Sequence, residues 1–275
     1  MPSYAVTGAS RGIGLGFVKQ LSARPNTTVF AIVRNKAGAN DLQSLADSAP
    51  NVHVVQVDLI DLTSIKVGVN LTEAAEVAAL SGGKLDVLIN NAAMMGYERS
   101  FLTLDKFPSD EILEKDMMDF FKTNVIGVTH IINSFLPLIK AGDTKKIFVI
   151  SSGMGSTKMV LKDKHSGTVP YAISKAAVNM LVAKFSLTYK DILFLAVSPG
   201  FVMTMQGPEE QVKATYDAIN AQIRKSNPNW TGAITVEESV RDQLALFDKV
   251  NLDKSGVFFA VFIGVLSIMH EWTLR

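Results

Sequence analysis

Seven short apolar runs punctuate the chain: Tyr4–Thr7, Val29–Val33, Val52–Val57, Leu85–Ile89, Ile147–Ile150, Ile192–Val197 and Val257–Ile263. Several are rich in β-branched residues and lack apolar–polar alternation, the pattern of strands covered on both faces. The segments between them carry helical spacing instead. Ile13, Phe17, Val18 and Leu21 predict a helix over Ile13–Ala23, and Ile173, Ala176, Ala177, Met180 and Leu181 predict another over Ala172–Tyr189. Strand alternating with helix implies right-handed crossovers and an α/β, doubly wound parallel sheet of about seven strands. Helices on both faces then make three layers. No repeat, low-complexity tract or Gly/Ser linker divides residues 1–275, so a single domain is expected. One segment, about 203–236, breaks the alternation. It holds Gly207-Pro208, Asn227-Pro228-Asn229 and a helical stretch over Val212–Arg224, directly after a strand end where a substrate lid belongs.

Composition narrows the function classes. Apolar residues are 48% and charged residues 19%, which excludes disorder. A net charge of +1 gives no global field toward nucleic acid or an anionic membrane. There are no cysteines, so disulfides and thiolate chemistry are ruled out. His53, His130, His165 and His270 are scattered, with no i, i+4 pair, and no metal site is expected. The start, Met1-Pro2-Ser3-Tyr4, runs into a strand without a signal or transit pattern. The longest apolar run, Val257–Met269, is 13 residues and too short to span a bilayer; a cytoplasmic protein is expected.

Candidate chemistry gathers at the strand ends. Thr7-Gly8-Ala9-Ser10-Arg11-Gly12-Ile13-Gly14 follows the first strand and opens the first helix. Gly8 permits the tight turn, Gly12 and Gly14 permit close approach, and the helix N-terminus offers free N–H groups to a dinucleotide pyrophosphate. The second strand ends in Val33-Arg34-Asn35, without the acidic residue that holds a ribose 2′-hydroxyl in NAD sites. Arg34 and Arg11 would instead clamp a 2′-phosphate, favouring NADP(H), or else are solvated surface arginines. Asp58, followed by Leu59, reads equally as an adenine acceptor or a helix cap. Asn90-Asn91-Ala92-Ala93 ends the fourth strand, where small residues let a flat cofactor lie close and an Asn ties down the neighbouring loop. Ser151 and Ser152 close the fifth strand, and only one of them is expected to face the site. In Tyr171-Ala172-Ile173-Ser174-Lys175 the tyrosine and lysine fall one helical turn apart. A lysine cation there favours the phenolate and draws the tyrosine toward its operating range. Met94, Met95, Met154, Met159, Met203 and Met205 follow strand ends and read either as adaptable packing or as a greasy pocket for a bulky apolar carbonyl compound.

Taken in order, these motifs resemble the short-chain dehydrogenase/reductase family over nearly the whole chain. The run Glu237-Glu238-Ser239-Val240 with Lys254-Ser255-Gly256 is similar to the carbonyl-reductase-like branch that includes sniffer and C-factor proteins. The resemblance implies a Rossmann-type fold and a catalytic tetrad of Asn124, Ser152, Tyr171 and Lys175. In that scheme the main-chain carbonyl of Asn124 holds a relay water, Ser152 orients a carbonyl, Tyr171 protonates the developing alkoxide, and Lys175 fixes the cofactor ribose. Pro199-Gly200-Phe201-Val202-Met203-Thr204 matches the segment that meets the nicotinamide, with the Val202 backbone toward the carboxamide and the Thr204 hydroxyl toward a phosphate. The implied reaction is hydride transfer between NADP(H) and a ketone or aldehyde. The alternatives are isomerisation, dehydration or cyclisation in the same pocket without net redox change, and NADP(H) sensing without chemistry. Family members are usually homodimers or homotetramers built through the helices that carry Asn124 and Tyr171. Two departures stand out: Ala93 replaces a customary glycine, and a lengthened loop, Thr157–Thr168, separates Ser152 from Tyr171.

Overall fold

The structure, a computed structural model, describes residues 1–56, 73–96, 98–226, 228 and 230–260. Its strands are β1 (Ser3–Thr7), β2 (Thr28–Val33), β3 (Val52–Gln56), β4 (Val87–Asn90), β5 (Lys146–Ile150), β6 (Leu193–Ser198) and β7 (Phe258–Ala260). They form one sheet in the order β3-β2-β1-β4-β5-β6-β7, and every pair is parallel. The order reverses between β1 and β4, which makes their C-terminal ends the switch point. The helices are α1 (Gly12–Ser22), α2 (Asn40–Ser48), α3 (Glu73–Ser81), α4 (Asp110–Phe121), α5 (Val128–Ala141), α6 (Thr157–Asp163), α7 (Val169–Thr188), α8 (Glu209–Ser226) and α9 (Val236–Lys249). Each of the seven apolar runs overlaps a strand. The part of Val257–Met269 beyond Ala260 lies outside the described residues.

Alternate strand residues feed two cores. Val6, Val29, Ala31, Ile89, Phe148 and Leu195 face α1 and α9, while Ala5, Phe30, Ile32, Leu88, Ile147 and Phe194 face α5 and α7. This two-sided burial is why the strands read as continuous apolar runs. On the first face the Phe247 ring of α9 stacks on Phe148 at 3.7 Å between centroids and on Phe17 of α1 at 5.9 Å.

The edge of the sheet away from the switch point is held by one carboxylate. Buried Asp86 accepts from the Ser3 backbone N–H (2.9 Å) and hydroxyl (3.0 Å) and from the N–H groups of Asp143 (3.0 Å) and Thr144 (3.1 Å). It thereby ties the starts of β1, β4 and β5. Burial pushes its carboxyl up, but the four donors outweigh burial and hold it below the ordinary value of 3.8. A depressed carboxyl stabilises the fold above its unfolded value and loses that contribution as pH falls through the folded value. Acid unfolding should therefore draw on Asp86 below pH 3.8. Asp86→Ala, which strands several of these donors, should cost about 2–4 kcal/mol at pH 7. Urea melts at pH 7 and pH 3 check both: the gap between wild type and variant narrows at the lower pH.

Candidate active site

The glycine loop between β1 and α1 is built by contacts that exclude side chains. Gly8 has φ +66° and Gly12 φ +55°. A methyl at Gly8 would press on the Cα of Ala92 at 2.8 Å, and one at Gly14 would land on the Gly8 carbonyl oxygen. Gly14 thus closes the turn on itself as α1 begins, rather than serving only ligand approach. Beside Gly12, by contrast, only the Thr204 methyl would be met, at 3.5 Å. The loop and the segment after β6 therefore come close to each other at Gly12 and Thr204. Helix α1 starts at Arg11 with no side-chain cap and no acidic residue in its first turn, which leaves its first N–H groups for an anion. Ser10 and Ile13 are half-buried along this loop.

Arg11 stands at the head of α1 and Arg34 directly follows the neighbouring strand β2, and both are exposed. The Arg11 guanidinium donates to Gln206 Oε1 (3.1 Å), so it is directed to the segment after β6. Asp58 and Leu59 lie outside the described residues.

Asn91 fastens the switch point. Its Nδ2 donates to the carbonyls of Thr7 (3.0 Å) and Gly8 (3.3 Å), while the N–H groups of Asn91 (3.0 Å) and Ala92 (3.1 Å) donate to Thr7 Oγ1. Its amide group holds the protein's own loop, as expected of an Asn at this strand end. Ala93 follows, half-buried.

Asn124 sits in a π-helical turn, Lys122–Gly127, between α4 and α5, a kind of irregularity common at functional sites. Its Oδ1 accepts from Met94 N (2.7 Å), and its Nδ2 donates to Met94 O (3.0 Å) and Ser174 Oγ (3.0 Å). Ser174 in turn donates to the Tyr171 carbonyl (2.7 Å). With its side chain spent on these bonds, Asn124 joins the strand-β4 exit, the π turn and the start of α7.

The two serines after β5 face opposite ways, as successive extended residues do. Ser151 is buried and donates to Asn179 Oδ1 (2.6 Å), whereas half-buried Ser152 accepts from Met154 N (3.2 Å) and has its hydroxyl near enough to Tyr171 to pull the phenol down. Tyr171 packs edge-on against Phe120, with ring centroids 6.3 Å apart. Lys175, one turn on, is buried, donates to the Ile150 carbonyl (2.8 Å) and has its Nζ 5.6 Å from the Tyr171 ring centre.

The electrostatics differ from the sequence expectation. Burial pushes the Tyr171 phenol up to about 12, only partly opposed by the Ser152 hydrogen bond, and burial brings the Lys175 amine down to about 8. Desolvation rather than the neighbouring lysine decides the balance, so the buried tyrosine is held neutral.

The stretch 157–168 is not a simple loop. Ser156 caps α6 by accepting from Met159 N (3.3 Å), and Lys164 ends it in the left-handed region at φ 50°. Its chain entry is pressed onto α7, where a methyl at Gly155 would meet Lys175 and Ala176 backbone at 2.7–2.8 Å.

Past β6, Ser239 of α9 donates to the Pro199 carbonyl (2.7 Å). Gly200 has φ +87°, Met203 N donates to Ile234 O (2.8 Å), and Ile234 N donates to Phe201 O (2.9 Å). Thr204 N (2.7 Å) and Met205 N (3.1 Å) both donate to the Tyr216 hydroxyl, which donates to the Val202 carbonyl (3.2 Å). The sequence reading missed Ser174, Asn179 and Tyr216. Tyr216 did carry a signal: Val212, Tyr216, Ile219 and Ile223 form an apolar stripe on the otherwise polar α8.

The short chain dehydrogenase family model matches residues 3–214. The chain belongs to that family. Short-chain dehydrogenase/reductase AacuF of Aspergillus aculeatus is 38% identical over 268 residues, covering 96% of this chain and 98% of the relative. Short chain dehydrogenase virK of Hypocrea virens is 36% identical, covering 92% and 94%. Among solved structures, the NADPH-bound carbonyl reductase from chicken fatty liver is 31% identical with TM-score 0.74, covering 94% of this chain and 96% of its own. Carbonyl reductase Sniffer of D. melanogaster, 23% identical at the same TM-score and coverages, shares the fold. As in its family, the chain is an oxidoreductase with a nicotinamide cofactor, and the uncapped N-terminus of α1 behind the glycine turn fits one.

Gly14→Ala should destabilise the protein by about 1–3 kcal/mol, because the turn has no room to relax around Asn91. Gly82→Ala meets nothing within 4 Å and isolates the strain of a positive φ. Urea midpoints of the two variants check this, with the larger loss expected at Gly14.

Proposed function

We propose that this chain is an NADP(H)-dependent carbonyl reductase that converts a hydrophobic ketone or aldehyde to its alcohol, and the reverse. The observation that carries the reading is the buried pair Tyr171 and Lys175, with half-buried Ser152 beside them, beyond the strand ends on the same edge of the sheet as the uncapped glycine loop. Gly8, Ser10, Arg11, Gly12, Ile13 and Gly14 would hold the dinucleotide, with Asn91, Ala92 and Ala93 along one side. Pro199, Gly200, Val202 and Thr204 would close the other side. Arg34, with Arg11, supports the choice of NADP(H), as does the NADPH found in the chicken relative. When bound, that cofactor supplies the hydride.

The protein's own share is the proton. Ser152 would hold the substrate carbonyl oxygen against Tyr171. A phenol kept neutral by burial retains its proton until the far more basic alkoxide develops, and then donates it. Lys175, as a cation, stabilises the phenolate left behind. The residues at 203–236 would act as a lid. Met95, Phe101, Leu161, Met203 and Met205 are exposed apolar side chains that follow β4, β5 and β6, which supports an apolar substrate. Met118 of α4 and Ile173, Met180 and Leu187 of α7 are likewise exposed and support a homodimer or homotetramer through those helices.

The deciding experiment is NADPH oxidation against a panel of hydrophobic ketones, aldehydes and quinones, with NADH in parallel. Tyr171→Phe should lower turnover by about 10²–10⁴-fold while NADPH binding changes little. Unchanged turnover would remove Tyr171 from the chemistry, and a transformed substrate without NADPH consumption would favour a non-redox reaction. In the reductive direction the rate should fall as pH rises through about 8, where Lys175 gives up its charge. A pH profile of kcat flat from 6 to 10 would contradict that role.

A further inference from the structure

Tyr216 is the one aromatic residue of α8 and is almost fully buried, at 5% exposure. Its ring meets Phe201 edge-on at 5.6 Å, and Phe201 also meets Trp230 at 6.0 Å. Trp230 Nε1 donates back to Asn220 Oδ1 of the same helix (3.0 Å). Burial of the ring explains why a tyrosine or a phenylalanine would suit this place, but not why the hydroxyl is there.

The hydroxyl is used to capacity. It has one donor and two acceptor positions. The N–H groups of Thr204 (2.7 Å) and Met205 (3.1 Å) fill the acceptors, and the Val202 carbonyl (3.2 Å) takes the proton. All three peptide groups belong to the turn that follows β6, where no helix or sheet ladder fixes the backbone apart from the single bridge of Val202 to Ile234. Two successive amides converging on one oxygen give that turn a defined shape, and the shape places Thr204 opposite Gly12.

We infer that Tyr216 is a positioning residue whose hydroxyl shapes the Val202–Met205 turn for the dinucleotide before it arrives and couples that turn to helix α8. The inference rests on the reading above that Val202 and Thr204 meet the cofactor. A loop already in its bound shape forfeits less ordering entropy on binding, so the benefit appears in affinity for the cofactor. Once the cofactor is in place its own contacts hold the turn, and the rate at saturation is little affected.

The test uses the full chain. NADPH affinity is measured without substrate, by calorimetry, for wild type, Tyr216→Phe and Trp230→Phe. Tyr216→Phe keeps the ring and removes only the hydroxyl. It should weaken NADPH by about tenfold, the equivalent of one to two lost hydrogen bonds. KM for NADPH should rise with it, while kcat at saturating NADPH stays within about twofold. Trp230→Phe loosens the aromatic contacts but spares the hydroxyl and should bind NADPH like wild type.

Equal affinity in wild type and Tyr216→Phe overturns the inference, whatever the variant does to the melting temperature. Equal weakening in both variants also overturns it, because docking of the helix rather than the hydroxyl would then be responsible. Hydrogen exchange on the cofactor-free wild type supplies a check that needs no variant: the Thr204 and Met205 amides should be protected, and free exchange at both counts against the hydroxyl. A wild type that binds neither NADPH nor NADH would overturn the cofactor reading itself, a result distinct from equal affinities.

Discussion

Four hydrogen bonds between Thr7, Gly8, Asn91 and Ala92 hold the ends of β1 and β4 together, and most of the site is arranged around that join. The β1–β4 ladder stops at Val6 and Ile89, and beyond it the two chains diverge into different connections. Here a side-chain amide and a hydroxyl hold them side by side. The glycines are the sterics of the same contact: any side chain at Gly8 or Gly14 would occupy the space where the two strand ends meet. On the other side of the loop Gly12 meets only Thr204, at ordinary contact distance, so the join is tight at β4 and lighter towards the segment after β6.

A second layer of polar contacts carries this order outward to the reacting groups. Asn124 reaches back to Met94, just past the β4 exit, and forward through Ser174 to the Tyr171 carbonyl. Ser151 and Lys175 hold the end of β5 to α7 through Asn179 and the Ile150 carbonyl. Tyr171 is therefore fixed from its backbone, its ring and its hydroxyl at once. Burial also raises the phenol and brings the lysine down to about 8, so the packing that positions the pair also sets its acidity.

Much of the fold was legible because interior parallel strands bury both faces and leave unbroken apolar runs, as Val29–Val33 and Ile147–Ile150 do. The order of glycine loop, Asn91, Ser152, Tyr171 and Lys175 was legible too, since each follows a strand end. What was not legible depends on distances between elements. Helix α6 is seven residues long with its apolar residues Met159, Val160 and Leu161 consecutive, too short for a periodicity to stand out. The acidity of Tyr171 turns on how much water its neighbours exclude, a sum over several helices that motif spacing does not contain. Tyr216 showed an apolar stripe, but the partners of its hydroxyl are backbone atoms, and these carry no residue-type signature.

The inserted stretch between Ser152 and Tyr171 is fastened to one helix at both ends. At its entry Asn179 donates to the Gly155 carbonyl (3.3 Å), and Gly155 itself lies against the α7 backbone. At its exit Thr168 turns through the left-handed region at φ 55° and hands the chain to Pro170 at the head of α7. Because the same helix clamps both ends, residues between them can lengthen, shorten or change character while Ser152 and Tyr171 keep their separation. The insertion is in effect a replaceable cartridge, a place where evolution or an engineer can rewrite the mouth of the site without retuning the proton transfer beneath it.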